Sequence, residues 1–143
     1  MSFSAKDLAE RDFVSLTREA SVLEAARAMR ARKHGYVVIL SQDGTPEGIA
    51  TEWDFLAKVV AEGRDPSTTR LGEIMSTALV TVKAKDTFQE VAQLMVQKGI
   101  RRVLVLDDGK VLGIITAKIV LSRLKDYVDR VSSQIARMQS HPL

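Results

Sequence analysis

The sequence predicts a mixed α/β (α+β) fold made of two copies of one β-α-β-β-α repeat, packed face to face with pseudo-two-fold symmetry. The first observation is internal similarity: residues 13–42 align with residues 79–108, and residues 44–56 align with residues 109–121 after a one-residue gap. The second is a helix-start pattern at the same place in each copy, and the third is an Asp-Gly turn between apolar runs. A repeat this small cannot bury its sheet alone, whereas two copies can cover each other.

Each copy begins with a short strand, which is followed by a polar turn and a helix. Ser21 precedes Glu24 by three residues, and Thr87 precedes Glu90 by the same distance. Both pairs predict a helix N-cap with a capping box. The helices that follow place apolar residues on one face, namely Val22, Ala25, Ala26 and Met29 in the first copy and Phe88, Val91, Ala92 and Met95 in the second.

A hairpin and a second helix complete each copy. An apolar strand is followed by Asp-Gly at residues 43–44 and again at residues 108–109. Glycine accepts the positive φ that a type I′ turn requires, so both dipeptides predict a two-strand hairpin. The return strand leads into another helix, which begins at Thr51 in the first copy and at Thr116 in the second.

These elements divide the chain into a first repeat, a linker, a second repeat and a C-terminal helical extension, at residues 5–61, 62–70, 71–127 and 128–143. Residues 71–75 are interpreted as a short lead-in to the second repeat, mirrored by residues 5–9 before the first.

The last helix carries an apolar stripe whose spacing alternates between three and four residues, which is typical of a heptad pattern. The stripe consists of Leu121, Leu124, Val128, Val131, Ile135 and Met138. Two interpretations stay open at this point. The stripe packs against the protein's own sheet, or it is a self-association surface, since it extends past the repeat by about four turns.

Composition excludes several classes of function. The net charge is +3, from 21 basic and 18 acidic residues that are intermixed along most of the chain. A nucleic-acid-binding surface is therefore not expected, because such surfaces cluster basic residues on one face. No apolar run reaches the ~18 residues of a membrane span and the start is no signal peptide, so we expect a cytoplasmic protein. Cysteine is absent, and His34 and His141 are far apart; a metal site is therefore not expected.

Two motifs resemble those of the cystathionine β-synthase (CBS) domain family. Residues 48–54 fit the family's Gly-hydrophobic-x-Thr/Ser-x-x-Asp pattern, and the second repeat keeps Gly113 and Thr116 of it. Residues 98–106 are similar to the family's second-strand sequence. The resemblance implies a tandem CBS pair: a regulatory, non-enzymatic module with adenosyl-ligand sites between its copies, commonly paired into homodimers that control an enzyme, transporter or channel.

The candidate site begins at Thr51 and Asp54. Their plain interpretation is helix capping, with an acidic residue in the first turn. The same geometry also suits a ligand, because free N–H groups at a helix start and the Thr51 hydroxyl can bind phosphate. The carboxylate of Asp54 can accept hydrogen bonds from both hydroxyls of a ribose diol. In the second copy Ile119 stands at the aspartate position, so the equivalent site is expected to bind nucleotide weakly or not at all.

The resemblance implies further residues for this one site. The base would stack near Val80, with Ile49 and Ala50 lining the opposite wall, and Trp53 would cover the ribose or pack on a neighbouring helix. The phosphates would meet the three cations Arg101, Arg102 and Lys118. Alternatively, Arg101 and Arg102 are exposed residues at a strand end. The first copy has Gly35 and Tyr36 at the matching positions, which would leave the second site short of phosphate ligands.

We therefore expect a regulatory module that binds AMP, ADP or ATP, with S-adenosylmethionine less favoured, and that needs no cofactor. No nucleophile–base pair, phosphate loop or metal cluster is evident, so we expect no enzyme activity. A homodimer and an effector protein acted on in trans are the expected partners. The alternatives are a ligand-free interaction module and a nucleic-acid-binding regulator using Arg123, Lys125, Arg130 and Arg137.

Overall fold

Each repeat forms its own three-stranded sheet in the computed structural model, which describes residues 3–139. The first sheet consists of β1 (Ser15–Leu16), β2 (Tyr36–Leu40) and β3 (Pro46–Thr51), and the second of β4 (Thr81–Lys83), β5 (Arg102–Asp107) and β6 (Lys110–Thr116). In both sheets the first strand pairs in parallel with the second, which pairs antiparallel with the third. The predicted α+β repeat is confirmed.

The helices alternate with these strands. They are α1 (Ala5–Leu8), α2 (Val22–Arg32), α3 (Glu52–Phe55) with its π-helical continuation (Leu56–Val60), α4 (Leu71–Ile74), α5 (Phe88–Lys98) and α6 (Ala117–Gln139). The predicted N-caps are confirmed: the Ser21 hydroxyl accepts from the Glu24 N–H at 3.0 Å, and the Thr87 hydroxyl from the Glu90 N–H at 3.2 Å. The predicted capping boxes are wrong at these two caps, because neither glutamate side chain accepts from the N-cap N–H. No described helix has the length and apolar character to cross a membrane.

The two hairpin turns differ. Asp108 and Gly109 both have positive φ, 52° and 77°, so the predicted type I′ turn is confirmed in the second repeat. The same prediction is wrong for the first repeat, where Gly44 (φ 87°) is left-handed and Asp43 is not. The additional loop residue allows a side-chain network instead, in which the carboxylate of Asp43 accepts from the Ser41 hydroxyl and from the Thr45 N–H. The Ser41 contact is the main cause that lowers the pKa of Asp43.

Three apolar clusters form the core. One lies under α2 in the first repeat and one under α5 in the second. The third joins the two sheets through Tyr36 and Val38 of β2, Leu104 of β5 and Ile114 of β6. Because these residues occupy the inner faces of both sheets, the two repeats pack face to face as predicted.

The short helices α1 and α4 cross between the repeats. Leu71 and Ile74 of α4 belong to the core of the first repeat, while Ala5 and Leu8 of α1 belong to the core of the second. Residues 71–75 thus lead into the second repeat along the chain but pack on the first, and the repeat bounds themselves stay a prediction. Each lead-in segment covers the opposite copy, since burying its apolar side is more favourable than leaving it in solvent.

The crossing segments explain one glycine in each repeat. After α1, Glu10 pairs with Ile114 on β6, and after α4, Ser76 pairs with Ile49 on β3. A Cβ on Gly113 would lie 2.6 Å from the carbonyl oxygen of Glu10. A Cβ on Gly48 would lie 2.6 Å from the sulfur of Met75. A side chain at Gly113 would meet backbone and one at Gly48 chiefly the Met75 side chain, so only glycine fits both positions without a shift.

Candidate ligand-binding clefts

Two cavities open between the repeats, and we call them the first and the second cleft. The first cleft has a volume of about 260 Å³. Both repeats contribute to its walls, which are Ile49, Thr51, Ala78, Leu79, Val80, Gly99, Ile100, Arg101, Arg102, Val103, Leu104 and Ile114. Of the nine predicted site residues, the structure brings Ile49, Thr51, Val80, Arg101 and Arg102 together here.

Strand alternation decides which residues of β3 reach the first cleft. Ile49 and Thr51 share one face, since side chains alternate along a strand. Ala50 points to the other side and is fully buried in the core of the first repeat. The prediction that Ala50 lines the cleft is therefore wrong for its side chain.

Asp54 is adjacent to the first cleft but is not part of its wall. Its carboxylate accepts from the Thr51 N–H at 2.9 Å and from the Thr51 hydroxyl at 3.2 Å. The Asp54 N–H donates to the Thr51 hydroxyl oxygen at 3.4 Å, which completes a capping box. The other carboxylate oxygen lies 3.1 Å from Nζ of Lys58. Lys58 in turn donates to the carbonyl oxygen of Ile74 at 3.0 Å. The plain capping interpretation is thus satisfied, and the carboxylate stays directly behind the hydroxyl that faces the cavity.

The second cleft lies between α6 and the residues that precede β2, and its volume is about 510 Å³. Its walls are Glu10, Lys33, His34, Gly35, Tyr36, Arg101, Arg102, Thr116, Ala117, Lys118, Ile119 and Ser122. Lys118 is therefore wrongly assigned to the site of Asp54. It belongs to the opposite cleft, because it stands at the start of α6, which borders the second cleft.

The expectation that this second cleft is short of phosphate ligands is also wrong. Four cations line it, namely Lys33, Arg101, Arg102 and Lys118. It does lack the carboxylate, because Ile119 packs against the core of the second repeat while its N–H donates to the Thr116 hydroxyl at 3.2 Å. Sequence reasoning missed Lys33, whose position at the C-cap of α2 gives no periodic signal.

Tyr36 and Arg102 meet between the two clefts. They occupy equivalent positions in the repeat, and the Arg102 guanidinium lies 5.2 Å from the centroid of the Tyr36 ring. The His34 ring stacks on Tyr36 with centroids 5.4 Å apart, and the Nδ1 atom of His34 is buried without a hydrogen-bond partner. Burial is the main cause that raises the pKa of Tyr36. Neither ring was a predicted site residue, although Tyr36 begins the strand β2, which faces the partner repeat, and His34 lies two residues before it.

Trp53 stands apart from both clefts and is 69% exposed. Its two expected roles, covering the ribose or packing on a neighbouring helix, therefore stay predictions. Within residues 3–139, no group of His, Asp or Glu side chains is arranged to hold a metal ion; His141 lies outside the described residues.

The cations proposed for nucleic-acid binding have partners within the chain. Arg123 lies 5.1 Å over the Phe3 ring and donates to the carbonyl oxygen of Asp7. Lys125 pairs with Asp129 at 2.8 Å, and Arg130 lies over the Tyr127 ring. Because of these contacts, and because basic and acidic residues alternate along α6, the helix does not present a continuous basic surface.

Comparison with known proteins matches the model of the CBS domain to residues 5–61 and again to residues 71–126. An uncharacterised protein of Methanopyrus kandleri is 34% identical over 96% of this chain and 71% of its own length. Among solved structures, a hexameric CBS-CP12 protein from bloom-forming cyanobacteria is 32% identical with a TM-score of 0.73, over 85% of this chain and 67% of that one.

A further solved structure is informative about ligands. It is the CBS domain pair of the protein MJ0100 in complex with 5′-methylthioadenosine and S-adenosyl-L-methionine. It is 28% identical to this chain with a TM-score of 0.74, and the match covers 88% of this chain and 98% of that one.

Proposed function

The chain belongs to the CBS-domain family, and we propose that its domain pair is a regulatory module that binds AMP, ADP or ATP in the first cleft. One observation carries the proposal. The cleft joins Ile49 and Thr51 of one repeat to Val80, Arg101 and Arg102 of the other, so apolar walls, a hydroxyl and two guanidinium groups face one cavity.

The walls suit the parts of an adenine nucleotide. Ile49 and Val80 offer apolar surface for the flat base, as small-molecule sites generally do. Arg101 and Arg102 supply charge-assisted hydrogen bonds to phosphate. The Thr51 hydroxyl adds another donor when it releases the Asp54 carboxylate, to which it donates in this structure. The Asp54 carboxylate lies behind Thr51. When it releases Lys58, it accepts hydrogen bonds from the ribose hydroxyls instead.

The ligand class is supported by two independent facts. The structurally similar MJ0100 pair is known with two adenosyl compounds, which favours an adenosyl group here. Two guanidinium groups at one cavity favour a ligand that also carries phosphate, since unpaired cations in proximity repel each other. S-adenosylmethionine, which carries a sulfonium cation, is the less favoured ligand.

The module is proposed to act on a separate effector protein in trans and to form a homodimer, without catalysing a reaction itself. The similar CBS-CP12 protein is hexameric, which supports assembly of more than one copy. A ligand that changes the contact of Arg102 with Tyr36 would change the packing between the two sheets, because Tyr36 belongs to the core that joins them.

Calorimetric titration of the ligand-free full chain with AMP, ADP, ATP and S-adenosylmethionine tests the proposal. We expect saturable binding of at least one nucleotide. Asp54→Asn keeps an acceptor for the Thr51 N–H but removes the charge that holds the diol, so affinity should fall about 10- to 100-fold. Ile119→Ala is the matched control at the equivalent position and should leave the affinity unchanged.

Two outcomes contradict the proposal. Absence of heat with all four ligands would favour the alternative of a ligand-free interaction module. Binding that is unaffected by Asp54→Asn but lost in Ile119→Ala would move the site to the second cleft.

A further inference from the structure

Helix α6 exposes an apolar surface that the fold of the repeats does not use. The helix spans Ala117–Gln139, and five of its large apolar side chains are between 41% and 71% exposed. They are Leu121, Leu124, Val128, Ile135 and Met138. A continuous apolar surface of this kind on a polar protein marks an interaction site.

The face of α6 that packs on the protein is a different one. Ile119 and Val120 contact the core of the second repeat, and Arg123 contacts Phe3 and Asp7 near the start of the chain. The apolar stripe begins one residue after Val120, and Leu121, Leu124 and Val128 are at least 41% exposed beyond this contact. Packing on the protein's own sheet therefore does not account for the stripe, and the self-association interpretation is favoured.

The spacing of the stripe identifies the kind of partner. Leu121, Val128 and Ile135 recur every seven residues, and so do Leu124, Val131 and Met138. These are the a and d positions of a heptad, which fit into the holes of another helix with the same pattern. At ~1.5 Å per residue the stripe is about 26 Å long, which is enough for more than two heptads.

We propose that the stripe is the seam of a parallel, in-register two-stranded coiled coil with α6 of a second copy of this chain. The second copy carries the complementary pattern by identity. Val128 and Ile135 at a positions and Leu124 at a d position match the preference of parallel pairs, whereas Leu121 at a and Val131 at d depart from it. This names the surface of the proposed homodimer and does not depend on the proposed ligand.

Charge also favours a like-with-like pair. Among the positions that flank a coiled-coil seam, Val120 packs on the second repeat, and four further ones in the described helix are Lys125, Tyr127, Ser132 and Gln134. Lys125 is the one charged residue among these four, and it forms an ion pair with Asp129 of its own helix at 2.8 Å. Two copies of α6 can therefore pair without repulsion between like charges at these flanking positions, which in other coiled coils prevents self-association.

Sedimentation of the full chain provides the first test. We expect a mass of two chains, and Val128→Asp should weaken self-association at least ~100-fold because it buries an unpaired charge in the seam. Ser133→Asp adds the same charge to the exposed polar side of the same helix and should leave the dimer intact. A monomeric parent chain, or equal effects of the two substitutions, would overturn the proposal.

Cross-linking provides a second test that does not rely on disruption. The chain has no cysteine, so Val128→Cys introduces the sole thiol. In a parallel, in-register pair the two thiols face each other, and mild oxidation should convert most of the protein to a disulfide-linked dimer. Ser133→Cys should not cross-link. If Val128→Asp disrupts the dimer but Val128→Cys fails to cross-link, the parallel register is wrong.

Discussion

The two clefts are built from equivalent elements of one repeat, yet their chemistry is different. The first cleft has a carboxylate directly behind its wall, at Asp54, whereas the second has the apolar Ile119 in that place. The second cleft has Lys118, whereas the first copy has Trp53 at the equivalent position. The repeat thus preserves the backbone, and the side chains at the helix starts determine what each cleft can bind.

The two strand-end arginines complicate this division. Arg101 and Arg102 line both clefts, because β5, which begins at Arg102, starts between the two clefts. Their charge is therefore available to a ligand on either side. What distinguishes the clefts is the helix-start carboxylate of Asp54 behind the first and the two lysines in the wall of the second, which also contains Glu10.

The largest expected effect concerns the crossing segments that hold the two repeats together. Gly113→Ala should cost about 3 kcal/mol of unfolding free energy, because its Cβ meets the Glu10 backbone. Gly48→Ala should cost about 1 kcal/mol, because its nearest neighbour is the flexible side chain of Met75. Urea denaturation of both variants measures the difference. Equal costs would show that the two crossings are equally tight.

A second prediction separates the two clefts by charge. The double substitution Arg101→Ala, Arg102→Ala should weaken AMP binding about 10- to 100-fold, since it removes charge-assisted hydrogen bonds. Lys118→Ala should leave AMP affinity within about twofold, because Lys118 faces the second cleft and contributes only a long-range field. Calorimetry measures both effects. If Lys118→Ala weakens AMP binding as strongly as the double substitution, AMP occupies the second cleft.

The smallest expected effect distinguishes the two hairpins. The folded-state pKa of Asp43 is lowered, chiefly by the Ser41 hydroxyl. Its contribution to stability is therefore present above the ordinary aspartate pKa and is lost as the pH falls toward the folded value. Asp43→Asn should reduce the loss of stability below about pH 4, measured by urea denaturation between pH 2 and 7. Because Asp43 is exposed, the change should be small, and an unchanged profile would show that the loop network does not stabilise the fold.

Much of the fold could be predicted from the sequence because it depends on interactions between near neighbours. Ser21 and Thr87 cap the helices that follow them, and Asp108-Gly109 forms the expected turn. The first hairpin departs from its prediction because one additional residue changes the loop. Such an insertion is visible in the sequence, but its effect depends on contacts among the loop side chains.

The candidate site was predicted less completely. Ile49, Thr51, Val80 and the two arginines do meet in one cavity. The sequence alone argues against Ala50 in the cleft wall, because side chains alternate along a strand and Ile49 and Thr51 both face the cleft. Lys118 required knowledge of which cleft the start of α6 faces, and that follows from the pseudo-two-fold packing of the repeats.

Periodicity, caps and turn residues act over a few positions along the chain, so they specify the repeat, its helices and most of its strands. The assignment of α1 and α4 to opposite repeats has a different origin. It depends on contacts such as that of Glu10 with Ile114, between residues far apart in sequence. No local preference encodes such a contact, because the free energy that selects it comes from burying apolar surface between the two copies. The distribution of cations between the clefts depends on the same packing.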